Sequence, residues 1–137
     1  LNDKYTLNGN YSWNRLNKES QDPIVPAYNT PEHKFNIGIT GRNMNLELLG
    51  FKKSDPRTKN IVFNINYKWI DGFIFEGSPQ FTGQVPSYGL LDLQVTKSLS
   101  KLSVKLGGSN ILNNKVLQVY GGPYIGRMAY ISLLLEI

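Results

Sequence analysis

The feature that most constrains this chain is a two-residue periodicity sustained over blocks of about ten residues. The last block states it plainly. In residues 128–137 (MAYISLLLEI), Ala129, Ile131, Leu133, Leu135 and Ile137 fall on one face of an extended strand, with Met128, Tyr130, Ser132, Leu134 and Glu136 on the other. Such an element needs a partner along its edges and apolar matter against one face.

The same alternation recurs upstream. Residues 4–14 set Tyr5, Leu7, Gly9, Tyr11 and Trp13 against Thr6, Asn8, Asn10, Ser12 and Asn14. Residues 33–42 set Phe35, Ile37 and Ile39 against Lys34, Asn36, Gly38 and Thr40. Residues 61–70 set Ile61, Phe63, Ile65, Tyr67 and Trp69 against Asn64, Asn66 and Lys68. Residues 88–97 oppose Leu91, Leu93 and Val95 to Asp92, Gln94 and Thr96, and residues 102–109 oppose Leu102, Val104 and Leu106 to Ser103, Lys105 and Gly107. The expectation is an all-β, antiparallel protein of six strands with essentially no helix. Between them, 15–32, 71–87 and 110–127 are long loops marked by Pro and Gly, and 98–101 is a tight turn. Residues 43–60 form a charged connection with Pro56, which suits either a short helix or an extended hairpin connection.

Two solvents are compatible with the alternation. In a soluble β-sandwich binding module the apolar faces share a core and the polar faces meet water. In a transmembrane up-and-down barrel the apolar face meets lipid and the polar face a wet lumen. Strands of about ten residues match the 9–11 that cross a bilayer at a tilt. Connections alternate long and short, as in outer-membrane barrels. Tyr11 and Trp13 close the first strand, and Tyr67 and Trp69 the third, in the manner of lipid-interface aromatics. Ordinary core or edge aromatics would follow the same spacing.

Charge and composition narrow the functions. The chain has no cysteine, one histidine and a net charge of +5. No thiolate metal site or disulfide framework can form, and no cluster of acid, base and nucleophile presents itself, so neither an enzyme nor a cofactor is expected. His33, beside Glu32 at a strand start, reads as a rim residue. If connections alternate sides, Lys4, Arg42, Lys52, Lys53, Arg57, Lys59, Lys97 and Lys101 gather at one rim, a charge that suits anionic head groups as well as solvated turns. The chain opens inside what reads as a strand and without an initiator Met, as part of a longer polypeptide would.

Several motifs in order carry a resemblance: Asn29-Thr30-Pro31-Glu32-His33-Lys34-Phe35-Asn36, Asp71-Gly72-Phe73, Gly77-Ser78-Pro79-Gln80-Phe81, Val85-Pro86-Ser87-Tyr88 and Leu91-Asp92-Leu93-Gln94. Leu106-Gly107-Gly108-Ser109-Asn110-Ile111-Leu112-Asn113-Asn114 and Val119-Tyr120-Gly121-Gly122-Pro123-Tyr124-Ile125-Gly126-Arg127 complete the set. Together they resemble the carboxyl end of TonB-dependent outer-membrane receptors of the SusC-like branch. The 43–60 connection and the terminal Ile137, where the family usually has an aromatic residue, depart from it.

The resemblance implies that residues 1–137 are the last six strands of a barrel of about 22, plugged in its lumen by an amino-terminal domain. It implies active, TonB-dependent uptake of a nutrient such as a glycan or peptide across the outer membrane of a Gram-negative bacterium. The implied partners are the plug and earlier strands, a SusD-like surface lipoprotein, the TonB complex and outer-membrane lipids, with no nucleic acid.

On that topology the long loops are extracellular. Phe81, Tyr88, Tyr120, Tyr124 and Arg127 are then candidates for ligand or partner contact, although loop self-packing is the commoner explanation for such rings. Asn64, Asn66, Lys68, Asp92, Gln94 and Lys105 become lumen-facing candidates; Asp92 and Lys105 could face each other across the 98–101 turn, as a charge pair in the wall, a contact to the plug, or an ordinary exposed cross-strand pair.

Overall fold

The computed structural model describes residues 4–15, 29–43, 60–77 and 79–136. Ten strands form among these residues: β1 (Tyr5–Trp13), β2 (His33–Arg42), β3 (Ile61–Ile70), β4 (Phe73–Glu76), β5 (Thr82–Val85), β6 (Tyr88–Leu99), β7 (Leu102–Ser109), β8 (Val116–Leu117), β9 (Tyr124–Ile125) and β10 (Met128–Leu135). A single turn of 3-10 helix, Pro79–Phe81, joins β4 to β5. Six of the strands make one antiparallel sheet in the order β1-β2-β3-β6-β7-β10, and the remaining four make two small ribbons, β4-β5 and β8-β9. The expected all-β antiparallel architecture is therefore present, without an α-helix among the described residues.

Register sorts the side chains into continuous rows. One row runs through all six strands on the apolar face: Leu7, Ile39, Ile65, Leu93, Gly108 and Ala129. The row below it is Tyr5, Gly41, Phe63, Val95, Leu106 and Ile131. On the opposite face Thr6, Thr40, Asn64, Gln94, Gly107 and Tyr130 line up in the same way. A slip of one residue at any pair would put the whole apolar set of that strand on the polar face.

No second sheet packs on the apolar face among the described residues. Ile37, Leu93, Leu106, Ile131 and Leu133 are all exposed, the last two by about two-thirds. The only buried hydrophobic side chains described are Ile70, Val85 and Val116, at the end of the sheet that carries the ribbons. The six described strands of this sheet thus form a single layer.

The sheet is also staggered. From the row containing Leu7 and Ala129, β1 extends six residues toward the ribbon end, to Trp13, and β10 extends six residues toward the other end, to Leu135. This is a shift of about one residue per strand. With a rise of about 3.3 Å and a strand spacing of about 4.8 Å it corresponds to a tilt of about 35°.

The two ends differ. At one, β6 and β7 are joined by Ser100 and Lys101 alone, with Leu99 opposite Leu102 and Ser100 in the left-handed region at φ 36°. At the same end the chain leaves β2 at Asn43 and re-enters β3 at Asn60, both left-handed. The Asn43 N–H donates to Ile61 O at 2.9 Å and the Asn60 N–H donates to Asn43 Oδ1 at 3.2 Å. The helix-or-hairpin alternatives for the 43–60 connection, the basic side chains Lys52, Lys53, Arg57 and Lys59, and Ile137 lie outside the described residues. At the opposite end stand the ribbons, here called the loop end.

Candidate functional site

Three surfaces are built from the sequence candidates: an aromatic row on the apolar face, the polar face, and the loop end.

The aromatic row sits on the apolar face toward the loop end. Tyr11 pairs with Phe35, and Phe35 with Trp69, while Tyr67 pairs with Ile37 one row below. Phe35 stacks on Trp69 with centroids 5.6 Å apart and tilts against Tyr67 at 6.1 Å. The polar tips turn to the rim. Tyr11 OH shares a 2.7 Å hydrogen bond with His33 Nδ1, and Trp13 Nε1 donates to Glu32 Oε1 at 3.2 Å. Rings on an apolar surface with their polar atoms bonded at its border are amphipathic in the way an interface requires. Register brings Tyr11, Trp13, Tyr67 and Trp69 to one border, with Phe35 and His33 between them. His33 is engaged with the Tyr11 ring and hydroxyl, in keeping with a rim position.

All six lumen-facing candidates share the polar face. Asn64 accepts a 2.6 Å bond from Thr40 Oγ1, and Gln94 accepts one of 3.0 Å from Tyr130 OH. Asn10 accepts from Asn36 Nδ2 at 2.7 Å, and Lys68 follows Asn36 in that row. The amides of Asn8 and Asn66 close over Gly38, where an added Cβ would stand 2.8 Å from Asn8 Oδ1 and 3.1 Å from Asn66 Oδ1. The Tyr130 ring lies over Gly107 in the same manner. Asn64, Gln94, Thr96, Ser103, Lys105 and Ser132 frame a trough of about 500 Å³, and Asn66 and Asp92 line a smaller one beside it.

Asp92 and Lys105 are not a pair. The two-residue turn between β6 and β7 sets Lys105 opposite Thr96 and brings Asp92 level with Ser109. Asp92 Oδ1 accepts from Ser109 Oγ and from the Asn110 N–H, each at 2.9 Å, so its carboxylate caps the exit from β7. A direct pair between them would need a turn centred two residues before the one at Ser100–Lys101.

The loop end divides the remaining candidates. Phe81 lies against Gly121, and Tyr120 against Gly83, so these two rings belong to a contact between the connections. Tyr88 is not a loop residue: it opens β6 on the polar face, opposite Ile70, and is half-buried. Tyr124, opposite Leu117 in the β8-β9 ribbon, is 68% exposed, and Arg127 is tied down through its backbone N–H, which donates to Asn113 Oδ1 at 3.1 Å. The structure therefore brings Phe81 and Tyr120 together and leaves Tyr88, Tyr124 and Arg127 apart from them.

Sequence reasoning missed the asparagines that build this end. Asn110, buried and left-handed at φ 51°, exchanges two bonds with the Asn114 backbone, 2.7 Å from Nδ2 to O and 3.0 Å from N–H to Oδ1. Asn114 Nδ2 donates in turn to Gly89 O at 2.7 Å. Asn29 does likewise with Glu76, donating to its O at 2.9 Å and accepting from its N–H at 2.7 Å. For Asn110 the available signal was its place directly after β7, where an Asn side chain can replace a backbone partner. Among the described residues no three His, Cys, Asp or Glu side chains gather as a metal site would need.

No family model, no curated protein and no solved structure matches this chain.

Proposed function

We propose that the chain is a wall segment of an outer-membrane barrel, one that imports a nutrient such as a glycan or peptide in the manner of TonB-dependent, SusC-like receptors. The observation that carries this reading is the uncovered apolar face. Six strands place most of their Leu, Ile, Val, Phe and ring side chains on one side of a single layer, and nothing described covers them. An exposed apolar surface of that extent marks contact with lipid or with another apolar body. Three features favour lipid: the strand length, the tilt of about 35°, which falls at the low end of the range for membrane barrels, and an aromatic border at one end only a few residues from the polar rim. The polar face, with its amide ladders and wet troughs, then lines the lumen. The outer edges of β1 and β10 take the earlier strands of the barrel, which removes both edges.

In this reading the chain performs no covalent chemistry. It supplies wall, rim and loops, around a plug and beneath a capping SusD-like lipoprotein, while the TonB complex acts through another part of the receptor. The loop end faces outward and the Ser100–Lys101 turn faces the periplasm. The chain's lack of cysteine allows a direct test. In the full receptor on intact cells, Gln118→Cys reacts with a membrane-impermeant maleimide, whereas Ser100→Cys reacts only after the outer membrane is permeabilised. Equal labelling of both sites on intact cells overturns the proposal.

A further inference from the structure

The two ribbons of the loop end are joined by a crossed pair of ring-on-glycine contacts. An ideal Cβ at Gly83, in β5, would stand 2.5 Å from Cζ of Tyr120. One at Gly121, beyond β8, would stand 2.6 Å from Cδ1 of Phe81. Each connection thus contributes one ring and one bare stretch of backbone, and each ring occupies the space a side chain would need on the other. Gly121 also has φ 79°, a conformation that favours glycine. The two connections are not neighbours in sequence: one links β3 to β6, the other links β7 to β10, and the β6–β7 hairpin lies between their feet.

Burial supports the same unit. Val85 at the end of β5 and Val116 at the start of β8 are the most deeply buried side chains described, at 0% and 1% exposure, in a molecule whose sheet is otherwise open on both faces. The densest packing therefore lies beneath these connections. Asn29 extends the unit to the connection between β1 and β2 through its paired bonds to the Glu76 backbone.

From these contacts we infer that the β4-β5 ribbon and the β8-β9 connection move as one body, latched by Phe81 on Gly121 and Tyr120 on Gly83. The inference is independent of the membrane reading. Local opening occurs in contiguous cooperative units, and a shared packed contact makes two segments one unit. Withdrawal of either connection then carries the other with it or breaks both rings free.

Hydrogen exchange in the folded full-length polypeptide tests this crosswise. Phe81→Ala speeds exchange of the Gly122 amide, which donates to Val119 O at 3.1 Å in the other connection, by about tenfold or more. Tyr120→Ala does the same to the Gly77 amide, which donates to Phe81 O at 3.2 Å. Tyr124→Ala, which removes an exposed ring of the same ribbon outside the latch, changes neither. Effects confined to the connection that carries the substitution overturn the inference. A second measurement needs no latch variant: spin labels at Gln84 and Gln118 give a single narrow distance distribution if the connections are one body, and a broad or multiple one if they are not.

Discussion

Replacing Leu93 with Lys, and separately Leu99 with Lys, distinguishes the environments open to the apolar face. Both residues lie on β6 and point to the same face. Their exposures are similar, 37% and 48%. Leu93 sits within a residue of the middle of the strand, and Leu99 is its last residue. Six residues at about 3.3 Å each, tilted by about 35°, separate them by about 16 Å along the axis of a barrel built from this sheet. The apolar band of a membrane barrel is about 25 Å tall, so a Leu93 near its middle leaves Leu99 at or beyond its border. A cation then costs about 2–4 kcal/mol at Leu93 and about 0–1 kcal/mol at Leu99. If the face meets water, both changes stay within about 0.5 kcal/mol of the parent. If another protein layer covers it, both place a charge in a low-dielectric interior and cost similar amounts. The assay is equilibrium denaturant unfolding of the full receptor in phospholipid vesicles. Penalties that agree within about 0.5 kcal/mol at the two depths refute the lipid argument.

Gly107→Val forces the Tyr130 ring off the sheet, since an added Cβ would stand 2.8 Å from its Cε1, and breaks the bond to Gln94. A loss of about 1–3 kcal/mol follows from overpacking, and Tyr130→Ala in the same chain relieves most of it in a double-mutant cycle. Asp92→Ala removes the acceptor for Ser109 Oγ and the Asn110 N–H and costs about 1–3 kcal/mol by denaturant midpoint, whereas Asp92→Asn, which keeps an oxygen in place, costs less.

The strand spans were legible because alternation leaves a strand little freedom in phase. The blocks read at 33–42, 61–70 and 102–109 coincide with β2, β3 and β7. The block at 88–97 stops short of β6, which continues through Leu99. Lys97 there breaks the apolar pattern without breaking the strand: it lies on the apolar face between Ile61 and Val104, near the turn. A turn at 98–101 is centred one residue before Ser100–Lys101, and the Asp92–Lys105 pair assumed a centre one residue earlier still, so its partners were misplaced. The ribbons inside 71–87 and 110–127 were illegible for a different reason. Strands of four and two residues are too short for a period to declare itself among Gly and Pro. Among the candidate site residues, a polar or apolar face follows from parity alone, which is why Asn64, Asn66, Lys68, Asp92, Gln94 and Lys105 stayed together on one face. Which loop rings touch depends on how two distant connections meet, and no local pattern encodes that.

The left-handed Asn43 and Asn60 have a consequence for how this protein can vary. They are already bonded to one another, and Arg42 and Val62 beside them are already in register. Joining the two asparagines directly would leave a connection of about three residues, a length that ordinary hairpins use. The seam they form can close connections of different lengths at a cost that grows only slowly with length, without re-threading the strands on either side.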